Sequence, residues 1–339
     1  MSIQQHVASQ TLSGQKVLVT GASGFIGSHL CEQLIQGGAI VHGISRVARA
    51  HGQGNVQWWQ GDMSDIDTVR RMFSVVRPDL IFHLASHVMG APDIKNVIPT
   101  FQNNLYTTVN LLTVAAETGC RRLILTGSLA EPELREGEAF PSSPYAAAKW
   151  ASSAYGRMFN ALYHVPVVLA RVFMVYGPAQ RDLSKLIPYV SLSLLTDEVP
   201  KISSGERLVD WIYVDDVVRG FLSLATVPNI EGQTMDLGSG CLVSIRDIVN
   251  RVHRIVGTKI SPAFGALPNR PLEPTRIADV ARTYSLIGWK PLQTLDDGLE
   301  KAVSWYRIHL GELAGPTRLH AQYSSVEPSA VNPVTSIAR

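Results

Sequence analysis

Short apolar runs alternate with amphipathic segments through the first half of the chain. The run at residues 16–20 is typical of a buried strand, and the apolar positions that follow it recur at helical spacing until Gly37 and Gly38 end the segment. Strands that alternate with helices pair in parallel, so the pattern predicts an α/β fold with a doubly wound parallel sheet. The same alternation predicts strands near residues 39–44, 56–60, 80–84, 122–126 and 167–172, and helices near 65–76, 105–118 and 145–162.

The regular alternation of strands and helices ends at about residue 178, after which prolines divide the chain into short segments. We therefore predict a Rossmann domain over residues 14–177, part of whose sheet returns from later segments. Residues 178–312 would form mostly a smaller mixed lobe at the carboxyl edge of the sheet, where α/β proteins bind their substrates. Residues 1–13 and 315–339 show no apolar periodicity, so we expect flexible tails there.

Composition narrows the classes of protein that this chain can represent. With 339 residues, of which 45% are hydrophobic and 17% charged, it has the content of a well-buried globular protein. A net charge of +2 without a basic run gives no electrostatic argument for nucleic-acid binding. The N-terminal segment lacks the features of a secretion signal, and no apolar stretch is long enough to span a bilayer, so we expect a cytoplasmic protein without membrane contact.

The cysteines and histidines give no sign of a structural bridge or a metal site. Cys31, Cys120 and Cys241 lie far apart, so we expect free thiols in a reducing compartment. No cluster of histidine, cysteine and acidic residues has metal-ligand spacing, and we expect no metal. His83 lies inside an apolar strand, where we expect a hydrogen-bonded core residue.

Three glycines at spacing three stand between the first strand and the first helix. They permit either a plain tight turn or a close approach of backbone N–H groups to a pyrophosphate. Their spacing differs from the G-x-G-x-x-G dinucleotide fingerprint, so the triplet alone leaves both interpretations open. Because the doubly wound pattern surrounds them, we favour cofactor binding by the turn and the start of the helix. The residues concerned are Gly21, Ser23, Gly24, Phe25, Ile26 and Gly27.

The end of the second strand bears on the choice of cofactor. NAD-binding folds often place an acid here for the ribose 2′-hydroxyl, whereas this chain has Ser45, Arg46 and Arg49 and no acid. Two guanidinium groups and a hydroxyl suit a 2′-phosphate, unless the arginines form only a solvated loop. The sequence therefore predicts NADP(H) as the preferred cofactor, with NAD(H) possible. After the third strand, Asp62 and Met63 are expected at the adenine, where Asp62 would accept a hydrogen bond from the amino group.

A serine, a tyrosine and a lysine supply candidate chemistry. Tyr145 and Lys149 lie four residues apart at the start of a predicted helix, so both project from one face. An unperturbed tyrosine, with a pKa of about 10, is a poor acid or base at neutral pH, and a nearby ammonium brings it closer to the working range. Ser128 ends a predicted strand, from which its hydroxyl would bond a substrate oxygen. Behind a glycine-rich turn, this set favours a catalytic site over a plain surface helix.

These motifs together resemble those of a known family. The resemblance is to the extended short-chain dehydrogenase/reductases, and most closely to their branch acting on nucleotide sugars, the NAD(P)-dependent epimerase/dehydratase group. It covers roughly residues 14–310, and segments 171–178, 205–216, 270–273 and 287–291 agree with it. Besides the glycine-rich turn, it is carried by Phe82–Ser86, Asn104, Thr108, Ser128, Tyr145 and Lys149.

The resemblance implies roles around the cofactor. Ser128 would polarise a sugar carbonyl, and Tyr145 would act as the general acid/base. Lys149 would support both Tyr145 and the nicotinamide ribose. The residues that would border or approach the cofactor are Leu84, Ala85, Ser86 and Asn104.

The resemblance also implies substrate contacts and self-association. Arg207 and Arg270 match positions that usually hold a nucleotide diphosphate, although each would alternatively form a salt bridge with a neighbouring acid. His87, on a loop beside the site, would either contact the sugar or face solvent. The family tends to form homodimers through a four-helix bundle of its two long helices, here residues 105–118 and 145–162.

The reaction is less well specified than the family. Similar dehydratases carry an acid pair directly after the catalytic hydroxyl, and here Leu129 and Ala130 take those places. Glu131 is displaced along the chain and remains a candidate for contact with the sugar. Since a 2′-phosphate site favours NADPH, we predict an NADP(H)-dependent nucleotide-sugar oxidoreductase that reduces a 4-keto deoxysugar. Three alternatives stay open: an epimerase or 4,6-dehydratase that retains NAD(P), a carbonyl reductase on a non-sugar substrate, and a non-catalytic cofactor-sensing protein.

Overall fold

Seven parallel strands form the central sheet of the protein. The computed structural model describes residues 12–49, 55–133, 140–269 and 272–313, so both expected tails lie outside the described residues apart from residues 12 and 13. Numbered in chain order, the strands of this sheet are β1 (Lys16–Thr20), β2 (Ile40–Ser45), β3 (Gln57–Gln60), β4 (Leu80–His83), β5 (Arg122–Ser128), β6 (Val167–Val172) and β10 (Thr234–Leu237). Their order across the sheet is β10-β6-β5-β4-β1-β2-β3.

Helices cover both faces of this sheet. Alternate residues of a strand point to opposite faces, and in β1 Val17 and Val19 pack on one side while Leu18 packs on the other. The helices concerned are α1 (Phe25–Gln36), α2 (Ile66–Val76), α3 (Val97–Thr100), α4 (Thr107–Thr118), α5 (Pro144–Tyr163) and α7 (Val214–Thr226). Side chains of α1 and α7 line the first face, and side chains of α2, α4 and α5 line the second. The predicted doubly wound Rossmann sheet is confirmed.

The later part of the chain builds a smaller lobe with its own core. Its strands are β7 (Met174–Tyr176), β8 (Lys201–Ile202), β9 (Leu208–Tyr213), β11 (Leu242–Ser244) and β12 (Ala263–Phe264), paired as β11-β9-β7 and β12-β8. Its helices are α6 (Leu186–Leu195), α8 (Ile245–Val256), α10 (Leu295–Ile308) and α11 (Leu310–Leu313). Helix α9 (Val280–Ile287) instead packs against β10 of the central sheet, and Ile287 belongs to the core on the first face of that sheet. Tyr176, Trp211 and Tyr306 are among the buried aromatic side chains of the smaller lobe. Across the described ranges, no helix combines the length and the apolar character needed to cross a membrane.

The long helix predicted near residues 105–118 begins earlier and contains a π-helical turn. A 3₁₀ turn at Ile94–Asn96 and α3 lead into the π-helical segment Phe101–Tyr106, which continues as α4. Asn104 in this segment is only 2% exposed. Apolar periodicity follows the regular 3.6-residue repeat, so the predicted helix begins only at the last two residues of the π-helical segment. Such turns often occur at functional positions, because the extra residue redirects a side chain.

The close packing of the glycine turn leads to a stability prediction. A Cβ on Gly27 would lie 2.1 Å from the Gly21 carbonyl oxygen. Because this oxygen belongs to the backbone, it cannot move away by a change of side-chain rotamer. We expect Gly27→Ala to lower the free energy of unfolding by about 1–3 kcal/mol, as overpacking does, measured by urea unfolding. Gly311→Ala is the matched control, because nothing lies within 4 Å of its Cβ position. Equal stability of Gly27→Ala and wild type would contradict the packing described.

Candidate active site

The side chains singled out in the sequence gather where β1, β4 and β5 end. These three parallel strands are neighbours in the sheet, so their carboxyl ends lie side by side. The strand order reverses between β1 and β4, because β2 and β3 follow β1 in one direction and β4 to β6 in the other. A crevice at such a reversal is where open α/β sheets bind their ligands.

The turn between β1 and α1 has the shape of a phosphate cradle. A Cβ on Gly21 would lie 2.7 Å from the Ala85 nitrogen, and Gly21 has a φ of +70°, so glycine is required there. Among the described residues, no side chain caps the first turn of α1. The backbone N–H groups of Phe25 and Ile26 at this helix start therefore suit a pyrophosphate, with Ser23 exposed beside them.

Ser45, Arg46 and Arg49 form one solvent-facing cluster at the end of β2. The Arg49 Nε donates to Ser45 Oγ at 3.4 Å, and its guanidinium lies 4.9 Å from the centre of the Trp58 ring. Arg46 Nη1 donates to Asn103 Oδ1 at 3.2 Å. Each cation is thus oriented by a neighbour while its charge remains open to solvent.

The segment after β3 is held by a buried asparagine. Asn110 Nδ2 donates to the backbone carbonyls of Met63 and Ser64, each at 3.0 Å. Met63 is buried, whereas Asp62 is exposed and accepts the Ser64 N–H at 2.9 Å through one carboxylate oxygen. The contact of Asp62 with an adenine amino group stays a prediction.

A chain of hydrogen bonds runs beneath the crevice from β1 to the π-helical turn. The Ala85 N–H donates to Thr20 Oγ1 at 3.1 Å, and that oxygen lies 2.8 Å from His83 Nδ1. On the other side of the ring, His83 Nε2 lies 3.0 Å from Thr108 Oγ1, whose hydroxyl donates to the Asn104 carbonyl at 2.6 Å. Because the Thr108 hydroxyl already donates to Asn104, its oxygen must accept a hydrogen bond from His83 Nε2. His83 is therefore the neutral tautomer that carries its proton on Nε2. Burial, helped by the charge of Lys149, lowers the pKa of His83 to about 3, so the ring stays neutral.

Asn104 fixes the loop that follows β4. Its Oδ1 accepts the His87 N–H at 2.6 Å, and its Nδ2 donates to the His87 carbonyl at 3.1 Å. The Leu84 N–H donates to the Thr20 carbonyl at 3.2 Å, which keeps this loop beside β1. Ser86 Oγ is buried and has no partner among the described residues. A buried hydroxyl without a partner at the crevice fits contact with a bound group.

Helix α5 brings Tyr145 to the end of β5. The side chain of Ser143 caps the helix, and Pro144 occupies its first turn. The Tyr145 hydroxyl is hydrogen-bonded to the Ser128 side chain, whose Oγ also accepts the Ala130 N–H at 3.2 Å. Burial raises the pKa of Tyr145 to about 12, although the bond to Ser128 opposes the rise. The phenol is therefore protonated at neutral pH.

Lys149 lies one turn further along the same face of α5. It is 5% exposed, and its Nζ donates to the Thr126 carbonyl at 2.8 Å. Burial lowers the pKa of Lys149 to about 8, and the charge of Glu131 opposes that fall. At neutral pH the side chain is mostly an ammonium, and its hydrogen bond to Thr126 places this cation at the end of β5, the strand that carries Ser128.

Glu131 lies behind Ser128 rather than in the crevice. It is 5% exposed, its Oε1 accepts the Ser128 N–H at 2.7 Å, and it is also hydrogen-bonded to the Ser153 side chain. Burial raises the pKa of this carboxyl above its ordinary value. By its sequence position Glu131 is a candidate for contact with the sugar, whereas the structure places the carboxylate against the protein's own backbone and hydroxyl groups.

Arg207 stands where the second lobe meets the loop after β4. It forms an ion pair with Glu273 and also donates to a nearby backbone carbonyl. A Cβ on Gly90 would lie 3.9 Å from the Glu273 carboxylate, so the pair adjoins the loop that carries His87. The salt bridge that the sequence offers as an alternative to diphosphate binding is therefore present in the structure. Arg270 lies outside the described residues.

Arg276 is a site-forming residue that the sequence analysis misses. It is buried, its Nε donates to Glu133 Oε1 at 2.8 Å, and its Nη1 lies 3.5 Å from the Leu129 carbonyl. The second lobe thereby fixes the loop that follows Ser128. Arg276 and Leu129 are 147 positions apart, so no local spacing relates them. Only the position of Arg276 shortly after the 270–273 motif could have drawn attention to it.

Together these residues form a candidate acid/base site at the carboxyl edge of the sheet. Ser128 and Tyr145 can hold a carbonyl oxygen between two hydroxyl groups, and Tyr145 can give that oxygen a proton. A lysine ammonium on the same face of the helix can stabilise the phenolate left behind. Within the described ranges, no three histidine, cysteine or acidic side chains are grouped as metal ligands would be.

Known proteins similar to this chain include nucleotide-sugar epimerases and dehydratases. A UDP-glucose 4-epimerase of Mycolicibacterium smegmatis is 30% identical over 313 residues, which cover 86% of this chain and 98% of the relative. A dTDP-glucose 4,6-dehydratase of Haemophilus influenzae is 27% identical over 331 residues, which cover 86% and 97%. The crystal structure of a UDP-glucuronic acid 4-epimerase from Bacillus cereus, with UDP-glucuronic acid and NAD, has a TM-score of 0.78 at 27% identity, covering 86% of this chain and 99% of that one.

A family model supports the same assignment. The model described as the NAD dependent epimerase/dehydratase family matches residues 17–238. That region contains the glycine turn together with Ser128, Tyr145 and Lys149, and the relatives align over nearly their whole length. The chain therefore belongs to the NAD-dependent epimerase/dehydratase family, a group of NAD(P)-dependent enzymes within the extended short-chain dehydrogenase/reductases.

Proposed function

We propose that this protein is an NADP(H)-dependent oxidoreductase that reduces the 4-keto group of a nucleotide-linked deoxysugar. The observation that carries the proposal is the cluster of Ser45, Arg46 and Arg49 at the end of β2, where no acid is present. A carboxylate in this place would repel a 2′-phosphate, whereas two guanidinium groups and a hydroxyl attract it. NADPH is the cofactor that cells keep mostly reduced, so a site built for it suits net reduction.

The orientation of the two cations supports this choice of cofactor. Arg49 is stacked on Trp58 and bonded to Ser45, and Arg46 is bonded to Asn103 of the π-helical turn. Side chains that are already positioned lose less conformational entropy when a phosphate binds. A merely solvated loop would have no need of these contacts.

The catalytic groups suit proton donation to a carbonyl oxygen. NADPH, when bound, supplies the hydride that reduces the carbonyl carbon. Ser128 and Tyr145 would hold the carbonyl oxygen, and the phenol of Tyr145 would give it a proton as the C–H bond forms. Because this phenol is protonated at neutral pH, it is ready to act as the acid. The ammonium of Lys149 would stabilise the resulting phenolate.

The residues after Ser128 argue against elimination of water. Leu129 is buried and Ala130 carries no ionisable group, so neither supplies the acid and base that a 4,6-dehydratase needs. Glu131 is engaged with the Ser128 N–H. These contacts favour simple hydride and proton transfer over dehydration.

The substrate class follows from the relatives and from the second lobe. The relatives are named for UDP- and dTDP-linked sugars. Arg207, and Arg270 by its motif, would hold the diphosphate of such a nucleotide, which a non-sugar carbonyl substrate would lack. An epimerase would use the same hydroxyl pair but return the hydride to the sugar, and cofactor consumption separates the two reactions.

We also propose a homodimer formed by the two long helices. Exposed apolar side chains occupy α5 and the helical region that precedes and includes α4, and a second copy could cover them in a four-helix bundle. They include Val97, Ile98, Phe101, Tyr106, Tyr155, Leu162 and Tyr163. The two helical regions already pack against each other within one chain.

Cofactor binding tests the arginine cluster. We expect wild type to bind NADPH more tightly than NADH, and the double variant Arg46→Ala/Arg49→Ala to weaken NADPH binding about tenfold or more by loss of charge-assisted hydrogen bonds. NADH binding should change much less, and both affinities can be measured by calorimetry. Arg254→Ala, an exposed arginine on α8, is the control. A wild-type preference of tenfold or more for NADH over NADPH would contradict the assignment of NADP(H) as the cofactor.

Removal of one hydroxyl tests the catalytic assignment. We expect Tyr145→Phe to lower kcat for NADPH-dependent reduction of a 4-keto-6-deoxy nucleotide sugar by about 10²–10⁴-fold, because the proton donor is lost. The affinity for NADPH should stay close to wild type. Tyr155→Phe, on the exposed side of the same helix, should keep its activity. Failure of wild type to reduce any such sugar would remove most of the support for the proposed reaction.

Sedimentation tests the dimer. We expect wild type to sediment at twice the chain mass of 37.0 kDa, and Ile98→Glu/Leu162→Glu to sediment as a monomer, because charges would replace the apolar contact. Ile308→Glu introduces a glutamate at a still more exposed apolar position, on α10, and this variant should remain dimeric. A dimer that survives the double substitution would place the interface elsewhere.

A further inference from the structure

Strand β5 extends past the end of its neighbour β4. The last pair between them joins His83 to Leu125, whereas β5 continues to Ser128. The N–H groups of Leu123 and Leu129 donate toward β6, to the carbonyls of Pro166 and Val172. Backbone groups alternate in direction along a strand, so the polar groups of the even-numbered residues beyond position 125 face the side that β4 no longer covers.

Two side chains of opposite charge occupy that uncovered edge. The Lys149 ammonium donates to the Thr126 carbonyl at 2.8 Å, and the Glu131 carboxylate accepts the Ser128 N–H at 2.7 Å. Both side chains are 5% exposed. A cation and an anion therefore satisfy neighbouring backbone groups of one strand edge, in a region with little water to screen them.

Gly127 leaves the room that this arrangement needs. A Cβ at this position would lie 2.5 Å from Glu131 Oε1 and 3.4 Å from Ser153 Oγ. Any larger residue would push the carboxylate away from the Ser128 N–H. The absence of a side chain at Gly127 therefore helps to position the Glu131 carboxylate at the Ser128 N–H.

We propose that the Glu131 carboxylate is the buried counter-ion of the Lys149 ammonium. Glu131 is thus a positioning residue that keeps both Tyr145 and Lys149 protonated, which is called the proton-loaded state below.

The other charged groups around this pair leave that role to Glu131. Arg171, on β6, is a further cation whose charge also acts on Glu131, and it is itself paired with Asp236 at 3.0 Å. His83, on β4, is neutral in its hydrogen-bonded chain. Glu131 is the acid whose charge acts on Lys149.

The charge of Glu131 acts in one direction on both partners. It opposes the fall that burial imposes on the pKa of Lys149, and it adds to the rise that burial imposes on the pKa of Tyr145. Both effects favour the protonated form. A protonated phenol beside an ammonium is the state that donates a proton to a carbonyl oxygen, a consequence that rests on the proposed function.

The substitution Glu131→Gln tests the charge while keeping the shape and an acceptor oxygen for the Ser128 N–H. We expect the Lys149 titration midpoint to fall by about one pH unit or more, which is a tenfold change in its proton affinity. The midpoint can be followed by NMR of protein labelled with ¹³C at the lysine ε-carbons, with the Lys149 signal assigned from Lys149→Met. No cofactor or substrate is needed. An unmoved midpoint overturns the proposal.

A second variant moves the charge instead of removing it. Gly127→Ala should displace the carboxylate and lower the Lys149 midpoint in the same direction as Glu131→Gln. The matched control is Glu133→Gln, which removes an acid of the same loop that pairs with Arg276 and should leave the midpoint at its wild-type value. Gly127→Ala protein that folds with an unmoved midpoint also overturns the proposal.

The pH dependence of activity separates this proposal from the proposed function. If wild type reduces a 4-keto-6-deoxy nucleotide sugar with NADPH, the rate of Glu131→Gln should decline at lower pH than that of wild type, because the proton-loaded state is lost earlier. A lowered rate with an unchanged pH profile would leave Glu131 a structural role only and contradict the proposal. A lowered Lys149 midpoint in a protein that reduces no such sugar would support the role of Glu131 and overturn the proposed function.

Discussion

The burial of the Lys149 ammonium is the constraint on which the rest of the site depends. A cation at 5% exposure has lost most of its hydration, and its direct hydrogen bond is to the Thr126 carbonyl. Such a charge persists at neutral pH only where an opposite charge and oriented dipoles face it. The uncovered edge of β5 and the carboxylate of Glu131 meet that need. Tyr145 lies one turn away on the same face of α5, and the charge of Glu131 acts on its phenol as well.

The fold supplies this environment through differences in strand length and through missing side chains. Because β4 stops at His83, the last residues of β5 are free to bond side chains instead of a neighbouring strand. Gly127 admits the carboxylate, and Gly21 admits the loop after β4. The second lobe completes the arrangement, since Arg276 holds the loop behind Ser128. Site and fold are therefore coupled through backbone groups as much as through side chains.

Sequence reasoning succeeds here where the determinants are local. The sheet follows from the alternation of strands and helices, and Tyr145 with Lys149 follows from helical spacing, because four residues always bring side chains to one face. Arg276, the π-helical turn and the inward course of Glu131 are not accessible in this way. Each depends on contacts with distant residues or on an irregular helix, which apolar periodicity cannot register. The roles of Arg46 and Arg49 toward a cofactor remain predictions.

The central claim is that the buried acid/base set serves net reduction by NADPH. The most direct measurement supplies NADPH carrying deuterium at the transferable position together with a 4-keto-6-deoxy nucleotide sugar. The account predicts that one deuterium appears at C4 of the sugar for each NADPH oxidised. NADPH that is neither oxidised nor loses its deuterium in the presence of this sugar would contradict that claim. If the same protein instead converts a UDP- or dTDP-linked hexose without net consumption of cofactor, it would be an epimerase or dehydratase that returns its hydride.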